Sequence, residues 1–130
     1  YAISPVKADA TENELAQRAE AFNIPLKPIQ TNVPNVGVGT LPASYSFYEV
    51  DGEAQVSCLK KAESGNDVIM RLFNPSGKEE KVDVKWCKEI QKAEALDLKE
   101  DVLEELKAEG NKVSVTIPAN KIYTIKFTLE

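Results

Sequence analysis

A mainly β chain, folded as an antiparallel β-sandwich with one N-terminal helix, is the fold class that 130 residues of this composition predict. Three observations carry it. Val68–Phe73 is an apolar run of one strand's length, broken only by Arg71, and Lys81–Trp86 alternates strictly between charged and apolar residues. The chain's end repeats the pattern: Val113, Val115 and Ile117 alternate with polar residues, as do Tyr123, Ile125, Phe127 and Leu129. A period of two places one set of side chains on each face of a strand, so each stretch offers an apolar face to a core.

From the start, Asp9–Phe22 is the one convincing helix. Thr11 with Glu14 forms a capping box, and Leu15, Ala19 and Phe22 share a face at helical spacing. Leu26–Thr31 reads as extended, and the stretch through Pro34, Gly37 and Gly39 as a linker. The expected division is therefore 1–40, the tail of a preceding larger β domain, and 41–130, a small sandwich. Tyr45–Val50 and Ala54–Lys60 are strands about the Asp51–Gly52 turn, and Gly65–Asn66 turns the chain into the Val68 strand. Asn74-Pro-Ser-Gly77 combines the fixed φ of proline with the freedom of glycine, which predicts a β-hairpin between Val68–Phe73 and Lys81–Trp86. Glu89–Leu96 alternates weakly. Residues 98–109 fit either a short second helix, on the spacing of Leu98, Val102, Leu103 and Leu106 and ended by Gly110–Asn111, or an irregular crossover. Pro118-Ala-Asn120 predicts a closing hairpin.

Composition excludes several classes. A net charge of −5 with mixed signs leaves no basic stripe for nucleic acid. No apolar run nears the roughly 20 residues that span a bilayer, so no membrane partner is expected. The chain starts at Tyr1 rather than methionine and reads as a piece of a longer protein, which makes a missing secretory signal weak evidence. Cys58 and Cys87, both in expected strands, read as buried free thiols of a reducing cytoplasm.

Chemistry-bearing residues are sparse. There is no histidine, the commonest metal ligand and the usual base at neutral pH. Gly37-Val-Gly39 lacks the helix and lysine of a phosphate loop. Glu79, Glu80, Glu100, Asp101, Glu104 and Glu105 could supply paired carboxylates but sit in charged clusters that read as solvated faces. Arg71 is expected in a salt bridge or with its stem packed on the sheet. Trp86 and Tyr48 could stack on a sugar, yet Trp86 falls in line with Val82 and Val84 and is expected in the core. These readings place no catalytic, cofactor-binding or metal-binding residue in the chain.

Six blocks in order resemble the glycoside hydrolase family 38 α-mannosidases. They are Tyr1-Ala-Ile-Ser-Pro5, Ala21-Phe-Asn-Ile-Pro-Leu26, Ser46-Phe-Tyr-Glu-Val50, Leu59-Lys-Lys-Ala-Glu63, Val68–Gly77 and Ile117–Phe127, the last four similar to that family's C-terminal β-sandwich. The resemblance covers nearly the whole chain, with two departures: Val6 replaces the family's histidine after the proline, and Ala8-Asp9-Ala10 its tryptophan-bearing stretch. It implies a parent that is a zinc-dependent, retaining exo-α-mannosidase acting on terminal mannosyl residues. The zinc ligands and nucleophilic aspartate lie in an N-terminal domain outside this chain. The chain's partners would be the parent's other domains, and its role structural or at the rim of the mannoside cleft. The rival expectation is a stand-alone carbohydrate-binding or adhesion-type sandwich, which requires an exposed row of aromatics on one sheet face.

Overall fold

Nine strands and one helix make up the computed structural model, which describes residues 1–30 and 41–130. They are α1 (Glu12–Asn23), β1 (Tyr48–Asp51), β2 (Gln55–Lys61), β3 (Val68–Phe73), β4 (Glu80–Trp86), β5 (Ile90–Leu96), β6 (Val102–Leu106), β7 (Ala108–Glu109), β8 (Lys112–Ile117) and β9 (Ile122–Leu129). Two antiparallel sheets face each other, one in the order β1-β4-β8-β7 and the other β2-β3-β9-β5-β6. The expected sandwich is thus the observed one. The expected linker through Pro34, Gly37 and Gly39 lies outside the described residues.

Strand alternation drives the packing. Val82, Val84 and Trp86 of β4 and Val113, Val115 and Ile117 of β8 are buried against Met70 and Leu72 of β3 and Ile125 and Phe127 of β9. Trp86 lies edge-on to Phe127, with ring centroids 5.4 Å apart, and Tyr48 tilts against its other side at 5.6 Å. Twelve buried apolar side chains form this core, and each large one contributes roughly 1.5–3 kcal/mol by leaving water.

Both expected hairpins are corrected. β3 pairs with β2 and β9, and β4 with β1 and β8, so the chain between them arches from one sheet to the other. The segment between β8 and β9 does the same. Alternation and a turn cluster are common to hairpins and arches. The choice is made by long-range pairing, which lets two successive strands turn their apolar faces towards each other across the core. Asn74 holds the two arches together. Its side-chain amide donates to the carbonyls of Lys78 at 2.8 Å and of Ile117 and Pro118 at 3.1 Å, and its oxygen accepts from the Ser76 amide at 2.9 Å. A third arch, at Asp51–Gly52, runs close beside β4: a Cβ on Gly52 would sit 2.7 Å from the Lys81 carbonyl, and φ there is +120°. Only glycine fits. The true hairpins are β2–β3, through Gly65–Asn66, β5–β6 and β7–β8.

Residues 98–109 form neither a short helix nor an irregular crossover but a turn followed by the strands β6 and β7. Asp97 Oδ1 accepts from the amides of Lys99 and Asp101, reversing the chain so that β6 pairs back on β5. Gly110–Asn111 closes the β7–β8 hairpin instead of ending a helix. Helix α1 carries the expected box: Thr11 Oγ1 accepts from the Glu14 amide at 3.1 Å, and Glu14 accepts from the Thr11 amide at 2.8 Å. Its expected apolar face, however, is not buried. Leu15 is 44% and Phe22 60% exposed, while Asn13 is the buried residue. No strand forms in described residues 26–30.

Candidate functional site

The richest polar surface is the outer face of the five-stranded sheet, built by side chains that point away from the core. Arg71 Nε donates to Thr124 Oγ1 at 3.3 Å across β3 and β9, and its guanidinium lies 3.9 Å from Glu100. Glu100 also pairs with Lys60 at 2.6 Å. It reaches over the sheet because its own backbone is left-handed, φ +72°, at the turn into β6. Arg71 therefore has the expected ion-pair role. Beside it, Glu94 is clamped by Lys92 and Lys126, each at 2.6 Å. The bonds from Lys126 and then Lys92 outweigh burial and hold the Glu94 carboxyl below its usual range. Beneath this polar layer Ile69 and Leu96 are buried, covered by the 97–101 turn and lysine stems. Every partner here is satisfied by another residue of the chain, so the layer is a roof over the sheet.

At the end of the sandwich beside Trp86, Tyr45 and Phe47 are exposed next to a cavity of about 170 Å³ lined by Ser46, Glu49, Lys85 and Asn111. The two rings meet edge to face, centroids 5.1 Å apart at 84°, so they present no single flat platform. A hydrogen bond to the Cys87 thiol holds the Tyr45 hydroxyl above its usual range. Tyr48 is half-buried and Trp86 buried, the latter as expected. The expectation of buried thiols is corrected: Cys58 is half-buried on β2, and Cys87 is exposed in the bend after β4, where the chain leaves the ladder.

Of the acidic residues, Glu100 is engaged above and Glu80 pairs with Lys78 at 3.1 Å. Glu104 and Glu105 stand side by side on β6, and Tyr123 is pushed up by burial and then by Glu104 nearby. Among the described residues no three His, Cys, Asp or Glu side chains converge as a metal site needs. The donor set does not fit a zinc ion. Sequence reasoning missed Asn74 as a hub and Glu100 as an anchor. The Asn-Pro-Ser-Gly run was a signal for the first, and nothing local pointed to the second.

Comparison with known families gives a match. The model of the glycosyl hydrolases family 38 C-terminal beta sandwich domain matches residues 53–125, more than half of the chain, from β2 to the first half of β9. No curated protein matches the chain.

Proposed function

Since the chain belongs to the glycosyl hydrolase family 38 C-terminal β-sandwich domains, we propose that it is the non-catalytic C-terminal part of a zinc-dependent, retaining exo-α-mannosidase. In this reading residues 1–40 are the tail of the preceding larger β domain, and the sandwich supports and orients that domain at the outer rim of the mannoside cleft. The observation that carries the reading is the family match over a sandwich whose outer-face Arg71, Glu100, Glu94 and lysines are spent on one another. The chain has no histidine, and its ten residues outside the described set contain no Cys, Asp or Glu. Zinc would thus be held by other parts of the parent, and no catalytic step is assigned to any residue here.

The stand-alone sugar-binding alternative needs a row of exposed aromatics on a sheet face. Among the described residues the exposed rings near the sandwich are Tyr45 and Phe47, which precede β1 and lie edge to face. A cytoplasmic parent is supported by two cysteines in a chain of this size, too few for a disulfide framework.

The test is an aryl α-mannoside assay of the purified chain with and without added zinc, alongside the parent from which residues 41–130 are deleted. The chain alone should be inactive. Adding it in trans should raise the thermal stability or activity of the deleted parent. Zinc-dependent turnover by the chain alone would overturn the proposal.

A further inference from the structure

One edge of the five-stranded sheet is β6. It pairs with β5 along one side, and among the described residues no hydrogen bond engages its other side. Four of its five residues are exposed, Val102 at 51% and Leu103 at 68%. Its register is broken opposite Ala95–Leu96, where Leu103 is the extra residue. Glu105 lies opposite Glu94 on the outer face, and Glu104 opposite Ala95 on the other. Among the described residues neither glutamate has an ion-pair partner. A bare strand edge is a template for another strand, and proteins guard such edges with charge.

The charges also say which strand fits. A second copy pairing β6 on β6 about a two-fold axis would bring four glutamates together, and like charges directly opposed destabilise a ladder. The opposite edge of a second copy, Leu59-Lys60-Lys61 on β2, has its Lys60 already committed to Glu100. We propose that the free edge of β6 takes an extended segment of a partner protein in which two consecutive basic residues are flanked by apolar ones. Consecutive residues of a strand point to opposite faces, so Glu104 and Glu105 require adjacent basic residues, one for each face. Val102, Leu103 and Leu106 supply the flanking apolar contact. The main-chain ladder provides affinity, and the two charges provide register.

The probe is a fluorescent peptide, Thr-Val-Lys-Lys-Val-Thr, capped at both ends, compared with an isomer of the same composition whose lysines alternate with valine. Anisotropy should show the first binding about two- to fivefold tighter, the share expected of one correctly faced cross-strand charge pair. Hydrogen exchange should slow at residues 102–106, and added salt should weaken binding. Glu104→Lys with Glu105→Lys should abolish the preference while leaving the melting curve intact. Equal affinity for the two isomers, protection elsewhere, or no binding at millimolar peptide would overturn the proposal, as would concentration-dependent association of the chain alone through β6. The isomer comparison requires no variant, so it stands even if the double substitution misfolds. The proposal is independent of the parent's activity.

Discussion

The sandwich hides Trp86 and Phe127 almost wholly from water, whereas helix α1 leaves Leu15 and Phe22 in it. The regions differ in how their apolar faces are satisfied. The central strands of the sandwich meet their complement twice, in the ladder beside them and in the facing sheet. Helix α1 meets the sandwich through a few groups: Glu12 accepts from the Gly77 amide at 3.0 Å, and a gap of about 480 Å³ lies between Ala16, Ala19 and Ile24 and the Phe73–Ile122 side of the sheet. Its other side, with Tyr1, Leu15 and Phe22, borders an open apolar groove of about 640 Å³. One region is held by its own chain. The other is shaped for contacts that the described residues do not make.

The sharpest way to break this contrast is in the core. Trp86→Ala removes a ring packed between Tyr48 and Phe127 and should cost about 3–5 kcal/mol, a large part of the roughly 5–15 kcal/mol that holds such a domain. Chemical denaturation should show the midpoint falling accordingly. A variant that melts with the parent chain would place the ring outside the core and revive the sugar-stacking role.

Next is the arch hub. Asn74→Ala strands the carbonyls of Ile117 and Pro118 in a buried setting and should cost about 2 kcal/mol. Asn74→Asp should be no milder, because it keeps the acceptor for the Ser76 amide and loses the donors. A neutral Asn74→Ala would mean that the arches are held by strand pairing alone.

This hub also shows how much was legible beforehand. Alternation over Lys81–Trp86 and Val113–Ile117 named the buried residues correctly because a period of two is local. It could not tell an arch from a hairpin, because that depends on Ile117 meeting Glu80 some 40 residues away. Leu98–Leu106 has helical spacing, yet pairing with β5 overrides it. Leu15, Ala19 and Phe22 do share a helix face, but periodicity does not say what that face rests on. Of the site, the ion-pairing of Arg71 was legible but its partner was not, since Glu100 reaches Lys60 and Arg71 through a left-handed turn that no spacing encodes.

A smaller effect concerns Glu94, whose folded carboxyl is depressed by Lys126 and Lys92. Such a group stabilises the fold above its unfolded pKa, about 4.3, and loses that contribution as pH falls through the lower folded value. Glu94→Gln should therefore cost about 1 kcal/mol at pH 7. The gap from the parent chain should close on acidification below pH 4. A gap that is constant with pH would assign the loss to packing rather than charge.

The smallest effect is expected where the helix faces the open groove. Leu15→Ala and Phe22→Ala remove side chains that are 44% and 60% exposed, and changes at such positions usually stay within about 0.5 kcal/mol. In this chain alone both variants should melt like the unsubstituted protein, with helix content kept by the Thr11–Glu14 box. If residues 1–40 are the tail of a preceding domain, as proposed, the same substitutions should become destabilising in the full-length parent, where that domain would cover the face. The difference between the two settings, measured with one pair of variants, reads out how much of that face is an interface. If Phe22→Ala costs several kcal/mol in the isolated chain, the helix is already packed within it, and the contrast between the two regions disappears. If it is neutral in both settings, residues 1–40 are not the tail of the neighbouring domain.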